Sequence, residues 1–242
     1  MRGECQIPKS VLAAVCVLAA FAVFLPRAAR AVSTAGEQYE QALRLMPRTE
    51  HGAKLFELCA VCHGSQGRGS RDGSVPAIAG QSVPVLVNQL VEFRYDARHS
   101  IRVQGFIDHH PLAPQDLADV AAYVSSLPPR EPPPAQPNTR TRHGEELFAA
   151  RCSSCHGTRA EGDPTARVPR LAGQHPEYLA EQLHDTAEGR RPSMERDHAR
   201  MLKRLSGDDL GAIALYLGSI SPAAPSSRAN GEQGVHDRTP VD

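Results

Sequence analysis

The chain is written twice, and that constrains it more than any other feature. Val75-Pro76-Ala77-Ile78-Ala79-Gly80-Gln81 returns 93 residues later as Val168-Pro169-Arg170-Leu171-Ala172-Gly173-Gln174. The same offset carries Cys59 to Cys152, His63 to His156, Gly64 to Gly157, Gln89-Leu90 to Gln182-Leu183, Asp116-Leu117 to Asp209-Leu210 and Tyr123 to Tyr216. Upstream of the cysteines, His51-Gly52 and Leu55-Phe56 match His143-Gly144 and Leu147-Phe148 at an offset of 92, so one residue was gained or lost beside the first cysteine. A period this long, present only twice, means tandem domains rather than a solenoid.

Within each copy the pattern is helical. Apolar residues at helical spacing run through 50–58 and 143–150, 85–93 and 177–185, and 116–127 and 208–220. In the last segment Leu210, Ile213, Ala214 and Leu217 form an i, i+3, i+4, i+7 stripe, and Ser206 three residues before Asp209 is a helix N-cap signal. Strand alternation is nearly absent. The expected fold is all-α: two small helical domains in tandem, with long loops.

The expected boundaries are a signal peptide over 1–31, a first domain over 37–127, a linker over 128–141, a second domain over 142–221 and a disordered tail over 222–242. Six of the ten residues from Pro128 to Pro137 are proline, which predicts an extended, semi-rigid spacer between the domains. The tail is rich in Ala, Ser, Pro, Gly and charge.

At the N-terminus, Arg2 and Lys9 precede fifteen uncharged residues from Val11 to Leu25. Pro26 then breaks the run, and Ala29-Arg30-Ala31 is a small-x-small cleavage site. Fifteen residues fall short of the ~20 that span a bilayer, which favours a cleaved export signal over a retained anchor. A lipid anchor at Cys16 is disfavoured by bulky Val15 before it and by the apolar sequence that continues past it. Cleavage after Ala31 removes four basic residues and one acidic residue from 27 of each, leaving a net charge of −3. That is no nucleic-acid footprint, which would be strongly basic. It also removes Cys5 and Cys16, so the remaining four cysteines all lie in two C-x-x-C-H motifs and none is left for a structural disulfide.

Those motifs are Cys59-Ala60-Val61-Cys62-His63 and Cys152-Ser153-Ser154-Cys155-His156. C-x-x-C-H is the attachment signature of c-type haem. Two sulfurs add to the two vinyl groups of the porphyrin, and the adjacent histidine supplies one axial nitrogen to the iron. The glycine that follows, Gly64 or Gly157, leaves room for the chain to turn away. Zinc in one all-cysteine site between the copies would leave both histidines unexplained. A redox dithiol would want a βαβ context. Two covalent haem c groups also account for the lean interior: only 40% of residues are hydrophobic, aromatics are 5% and Trp is absent. A large apolar disc would fill what such small domains otherwise lack.

With these motifs goes a further series: Ala79-Gly80-Gln81, Leu171-Ala172-Gly173-Gln174, Tyr178-Leu179 with Gln182-Leu183, and Leu205-Ser206-Gly207-Asp208-Asp209-Leu210 running on to Tyr216. Together they resemble the dihaem class I cytochromes c, of the cytochrome c-four type. The resemblance covers about 50–127 and 142–220. It implies two cytochrome c folds side by side, electron transfer in the periplasm, and a methionine as the distal iron ligand a few residues before the last helix.

The chain departs from that ligand pattern. In the second copy the family's spacing falls on His198, with Met194 and Met201 about one turn to either side. In the first copy the ungapped match is Gly105, and no methionine exists between Met46 and Met194. His198 and then Met201 are the candidates for the second iron. For the first, His99, His109 and His110 are near. Asp108-His109 pairs with Asp197-His198 if four residues have been lost, which makes His109 the candidate against an open or water-ligated iron. His51, His143, His175 and His184 read as surface or helix-end residues. Methionine opposite histidine raises a haem's reduction potential, so its absence predicts a lower one or an iron open to ligands.

The functional expectation is a periplasmic electron carrier without catalysis of its own. Its partners would be proteins such as an oxidase, reductase or dehydrogenase, with possible peripheral association to membrane respiratory complexes. A peroxidase-like haem enzyme and a gas or redox sensor, each using an open first haem, are the rivals. No effector domain and no obvious acid–base set accompanies the motifs, and reactivity with carbon monoxide would separate the readings.

Overall fold

The computed structural model describes residues 34–98, 100–134 and 138–222, apart from the side chains of Ile101 and Arg102. The expected signal peptide, His99 and the tail beyond Pro222 lie outside these residues. The chain divides into two units, Met1–Thr34 and Ala35–Asp242, and both copies belong to the second. Among the described residues there is no strand, only an isolated bridge between Asp163 and Val168. No helix among them is long and apolar enough to cross a membrane.

The first copy comprises α1 (Ala35–Arg44), α2 (Thr49–His63), α3 (Val83–Arg94), α4 (Ile101–His109) and α5 (Pro114–Ser126). The second comprises α6 (Thr139–Arg151), the single turn α7 (Ser153–His156), α8 (Pro176–Ala187), α9 (Arg196–Leu202) and α10 (Gly207–Ser219). In each, the helix that leads into the C-x-x-C-H motif packs against the last helix: α2 on α5, and α6, which α7 follows, on α10. The stripe Leu117, Val120, Ala121 and Val124 buries the inner face of α5, and Leu210, Ile213, Ala214 and Leu217 bury that of α10.

One glycine in each copy permits that packing. A Cβ on Gly52 would lie 2.0 Å from the Asp119 carbonyl oxygen, and one on Gly144 would lie 2.0 Å from that of Ala212. No side chain fits at that distance, so the helix backbones touch there. One turn further along, aromatic pairs close the crossing: Phe56 with Tyr123 at 5.5 Å between ring centres, Phe148 with Tyr216 at 5.7 Å.

Two boundaries differ from the sequence reading. The first domain begins earlier, because α1 docks on α3 and α5 and buries Tyr39 and Ala42 in the first core. The linker is shorter, because Asn138 Oδ1 accepts the Thr141 N–H at 2.9 Å and starts α6 at Thr139. Nor is the linker only a spacer: Arg130 donates to the Gly173 carbonyl at 2.7 Å, and Glu131 accepts from Ser221 Oγ at 2.6 Å.

The copies also touch directly, through equivalent residues. The Gln81 amide donates to the Arg170 carbonyl at 3.0 Å and accepts from the Arg170 N–H at 3.2 Å. Its counterpart Gln174 donates to the Ala77 carbonyl at 2.7 Å and accepts from the Ala77 N–H at 2.9 Å. Ala77 and Arg170 are themselves repeat partners, so this junction has approximate two-fold symmetry. His175, read from sequence as a surface or helix-end residue, does precede α8 but is 5% exposed. Its Nε2–H donates to the Arg68 carbonyl of the other copy at 2.8 Å.

Candidate haem sites

Each motif histidine is held in the same way. His63 Nδ1 lies 2.9 Å from the Pro76 carbonyl, and His156 Nδ1 lies 3.1 Å from the Pro169 carbonyl. A carbonyl only accepts, so Nδ1 carries the proton and Nε2 keeps its lone pair. This is the second-shell device that fixes the tautomer and aim of a metal-binding histidine. Burial lowers the pKa of both rings, although the carbonyl contact works against it. Both imidazoles are therefore neutral and able to ligate. Gly64 and Gly157 follow with φ of 75° and 78°, a left-handed turn that takes the chain away from the histidine.

The cysteines fit covalent attachment better than dithiol chemistry. In each pair the first is half-buried against its domain's core, Cys59 in one and Cys152 in the other, while Cys62 and Cys155 are exposed. Burial raises the Cys59 thiol pKa and pushes that of Cys152 up to about 11. A reactive dithiol needs the opposite shift. Nor do the four converge as zinc ligands. Among the described residues, the one group of three potential ligands is His51 with Asp116 and Asp119. There Asp119 accepts from the Arg48 backbone at 2.7 Å, the Arg48 side chain at 3.0 Å, Gln115 at 2.7 Å and His51 at 2.8 Å. Its oxygens are fully used, and the group is an ion-pair network around one buried carboxylate.

On the distal side the copies diverge. His198 on α9 faces His156, with ring centres 6.3 Å apart and planes at 47°. Two imidazoles on opposite faces of one metal, each bonded at about 2 Å, would have ring centres roughly 6 Å apart. His198 Nδ1 is buried and has no hydrogen-bond partner, a costly state for a polar atom. Its pKa is lowered by burial and by Arg191, with Glu195 opposing, so this ring too is neutral. Met201 lies further along α9, and it and Met194 are half-buried. In the first copy His109 ends α4 with its ring exposed and Nδ1 donating to the Gly105 carbonyl at 2.6 Å. His110 is exposed and stacks on Phe106 at 4.8 Å. The structure thus brings His156 and His198 together, and places His109 and His110 at the surface of their helix end.

The residues that sequence reasoning did not single out are Pro76 and Pro169, whose carbonyls orient the two histidines. They sit inside the longest repeated string, which was the available signal.

The family model described as Cytochrome c matches residues 49–128 and 141–221. The chain is 34% identical over 177 residues to cytochrome c4 of Pseudomonas aeruginosa, covering 69% of this chain and 85% of that protein. It is 32% identical over 180 residues to cytochrome c4 of Azotobacter vinelandii, covering 66% and 83%. The crystal structure of reduced recombinant cytochrome c4 from Pseudomonas stutzeri superposes with a TM-score of 0.65 at 29% identity, covering 72% of this chain and all of that one. With two matched repeats, two equivalent motifs and two equivalent histidine–carbonyl pairs, the chain belongs to the cytochrome c family, as a dihaem electron-transfer member carrying two covalent haem c groups.

Proposed function

We propose that this chain is an exported, periplasmic electron carrier in which Cys59 and Cys62 attach the first haem and Cys152 and Cys155 the second. His63 and His156 are the proximal ligands, and His198 completes the second iron. The one-electron chemistry belongs to the haem, and the protein contributes binding, orientation and electrostatics. Pro76 and Pro169 hold the proximal rings in one tautomer. With His156 and His198 both as ligands, the second iron would have no open coordination position, which favours carriage over catalysis there. His109 remains the candidate for the first iron. Its ring is exposed at the end of α4, with Nδ1 bonded to the Gly105 carbonyl and Nε2 left as the nitrogen that would ligate. Electron exchange would be with partner proteins of the oxidase, reductase or dehydrogenase class.

The observation that carries the ligand assignment is the facing pair His156–His198. Intact mass of denatured holoprotein should exceed the polypeptide by two haem groups. His198→Ala should open the second iron to carbon monoxide, while Met201→Ala should leave its spectrum unchanged. Carbon monoxide binding after Met201→Ala and not after His198→Ala would transfer the ligand role to the methionine.

A further inference from the structure

Gln81 and Gln174 are repeat partners, and each meets the other copy at one peptide group. Gln174 Oε1 accepts the Ala77 N–H at 2.9 Å, and Gln81 Oε1 accepts the Arg170 N–H at 3.2 Å. The carbonyls of those same two peptide groups belong to Pro76 and Pro169. They accept from His63 Nδ1 at 2.9 Å and from His156 Nδ1 at 3.1 Å. A continuous chain therefore crosses the junction in each direction. It runs from the ring N–H to a carbonyl, through one peptide group, and from that group's N–H to a glutamine of the opposite copy.

Each glutamine is held in place. The glycine before it donates to the end of its own copy's last helix, Gly80 to the Val124 carbonyl at 2.9 Å and Gly173 to that of Leu217 at 3.2 Å. The same Oε1 accepts the N–H of the following residue, Ser82 at 3.0 Å or His175 at 2.9 Å. The side-chain nitrogen donates to the carbonyl of the residue across the junction, Arg170 at 3.0 Å or Ala77 at 2.7 Å. Turning the amide over would set its NH2 group against two N–H donors, so the network fixes its orientation. Both side chains are half-buried, where hydrogen bonds in series polarise one another by about 10–30% per bond.

We propose that Gln81 and Gln174 are crossed positioning residues: each tunes the proximal histidine of the other copy through the peptide group between them. This rests on the reading of His63 and His156 as iron ligands. An acceptor on the N–H of a resonant peptide group puts more negative charge on its carbonyl oxygen. That oxygen then draws harder on the Nδ1 proton, and Nε2 becomes a more basic ligand. A more basic ligand favours ferric iron, so each glutamine lowers the reduction potential of the haem it does not share a domain with. Each haem thereby depends on the copy beside it, although its covalent and proximal attachments all lie in its own.

The test is a redox titration of the full-length holoprotein carrying isotope-labelled histidine. Nuclear magnetic resonance follows the ring nitrogens of each ligand, so each haem receives its own potential. Gln174→Leu should move the His63 Nδ1 signal and tighten the first haem's hold on its electron roughly threefold, about 28 mV at 59 mV per tenfold. Gln81→Leu should do the same to His156 and the second haem. Shifts confined to the substituted glutamine's own copy, or unchanged ring signals and potentials, would overturn the proposal. Equal shifts of both haems in either variant would also overturn it, because a junction that merely loosens affects both. If a Leu variant fails to mature, Gln174→Glu and Gln81→Glu present a charged oxygen to the same N–H. They should move the opposite copy's ring signal and potential the other way, and an unmoved ring there would overturn the relay. Failure of the ligand reading would appear separately, in the wild type, as His63 or His156 ring signals without the large shift that a bonded paramagnetic iron imposes.

Discussion

The two copies cross their first and last helices in the same way but anchor the crossing differently. In the first, Asp119 is wholly buried at the contact and gathers Arg48, His51 and Gln115. In the second, Ala212 stands in its place. Arg140 and His143, the counterparts of Arg48 and His51, pair with other acids instead. His143 Nε2 meets Asp209 at 2.7 Å and Arg140 meets Asp208 at 3.9 Å, both at the start of α10. The basic partners were kept, and without the buried anion they pair with the acids at the helix end. The first copy thus adds a buried carboxylate with half-exposed partners to the crossing, and the second relies on apolar contact with a surface pair.

The largest effect should come from what the copies share. Gly52→Val and Gly144→Val each force a side chain into a carbonyl oxygen at the helix crossing, where overpacking costs about 3 kcal/mol or more. Each should unfold its own domain first, seen as early loss of one of two haem signals during thermal denaturation of the holoprotein. Equal losses would confirm that the crossing is equivalent in both copies. A tolerated valine at either site would break the equivalence.

Asp119→Ala gives the first copy the second's residue and should cost about 2 kcal/mol, since it leaves the Arg48 backbone N–H and the Gln115 amide at the crossing without their acceptor. The same network predicts a pH dependence. Burial alone would raise the Asp119 pKa, but the bonds from the Arg48 backbone, Gln115, His51 and the Arg48 side chain outweigh it and hold the carboxyl at about 2 against an ordinary 3.8. A depressed folded pKa stabilises above the unfolded value and is lost as pH falls toward the folded one. The first copy should therefore weaken between about pH 4 and pH 2, and Asp119→Ala should remove that component. Acid titration of circular dichroism in both proteins checks it, and identical acid profiles would mean the network adds nothing.

What sequence revealed of this molecule follows from which forces leave a periodic trace. The buried stripes of α2, α3, α5, α6, α8 and α10 were legible because their apolar residues recur at helical spacing. Helices α1, α4 and α9 were not. Arg196-Asp197-His198-Ala199-Arg200-Met201-Leu202 buries only Leu202 fully, and so short a polar helix is set by its surroundings rather than its own propensity. The proposed attachment residues were readable as a motif, and the proposed ligand His198 by its distance from the Leu-Ser of the last helix. The carbonyls of Pro76 and Pro169 and the buried state of His175 were not, because they depend on which chain segments meet.

The smallest effect lies at the start of the last helix, where the two copies have the same backbone and different caps. Ser206 precedes α10 with φ −71° and ψ 163°, and Ala113 precedes α5 with φ −68° and ψ 161°. Ser206 Oγ accepts the Asp209 N–H at 3.1 Å while Asp209 Oδ2 accepts the Ser206 N–H at 3.0 Å, a complete capping box. At the first copy only the return half exists: Asp116 Oδ2 accepts the Ala113 N–H at 2.9 Å, and Ala113 has no oxygen to offer. Ala113 is exposed, so a hydroxyl there meets no packing cost. Ala113→Ser should therefore stabilise the first copy, and Ser206→Ala should destabilise the second, each by about 1 kcal/mol. In the full-length holoprotein that is a rise and a fall of about 2–4 °C in melting temperature. Opposite and similar shifts would show that the caps contribute independently of the buried network. A neutral Ala113→Ser would mean that Asp116, already within 3.9 Å of His51, is held by the histidine in a position that a serine cap cannot improve.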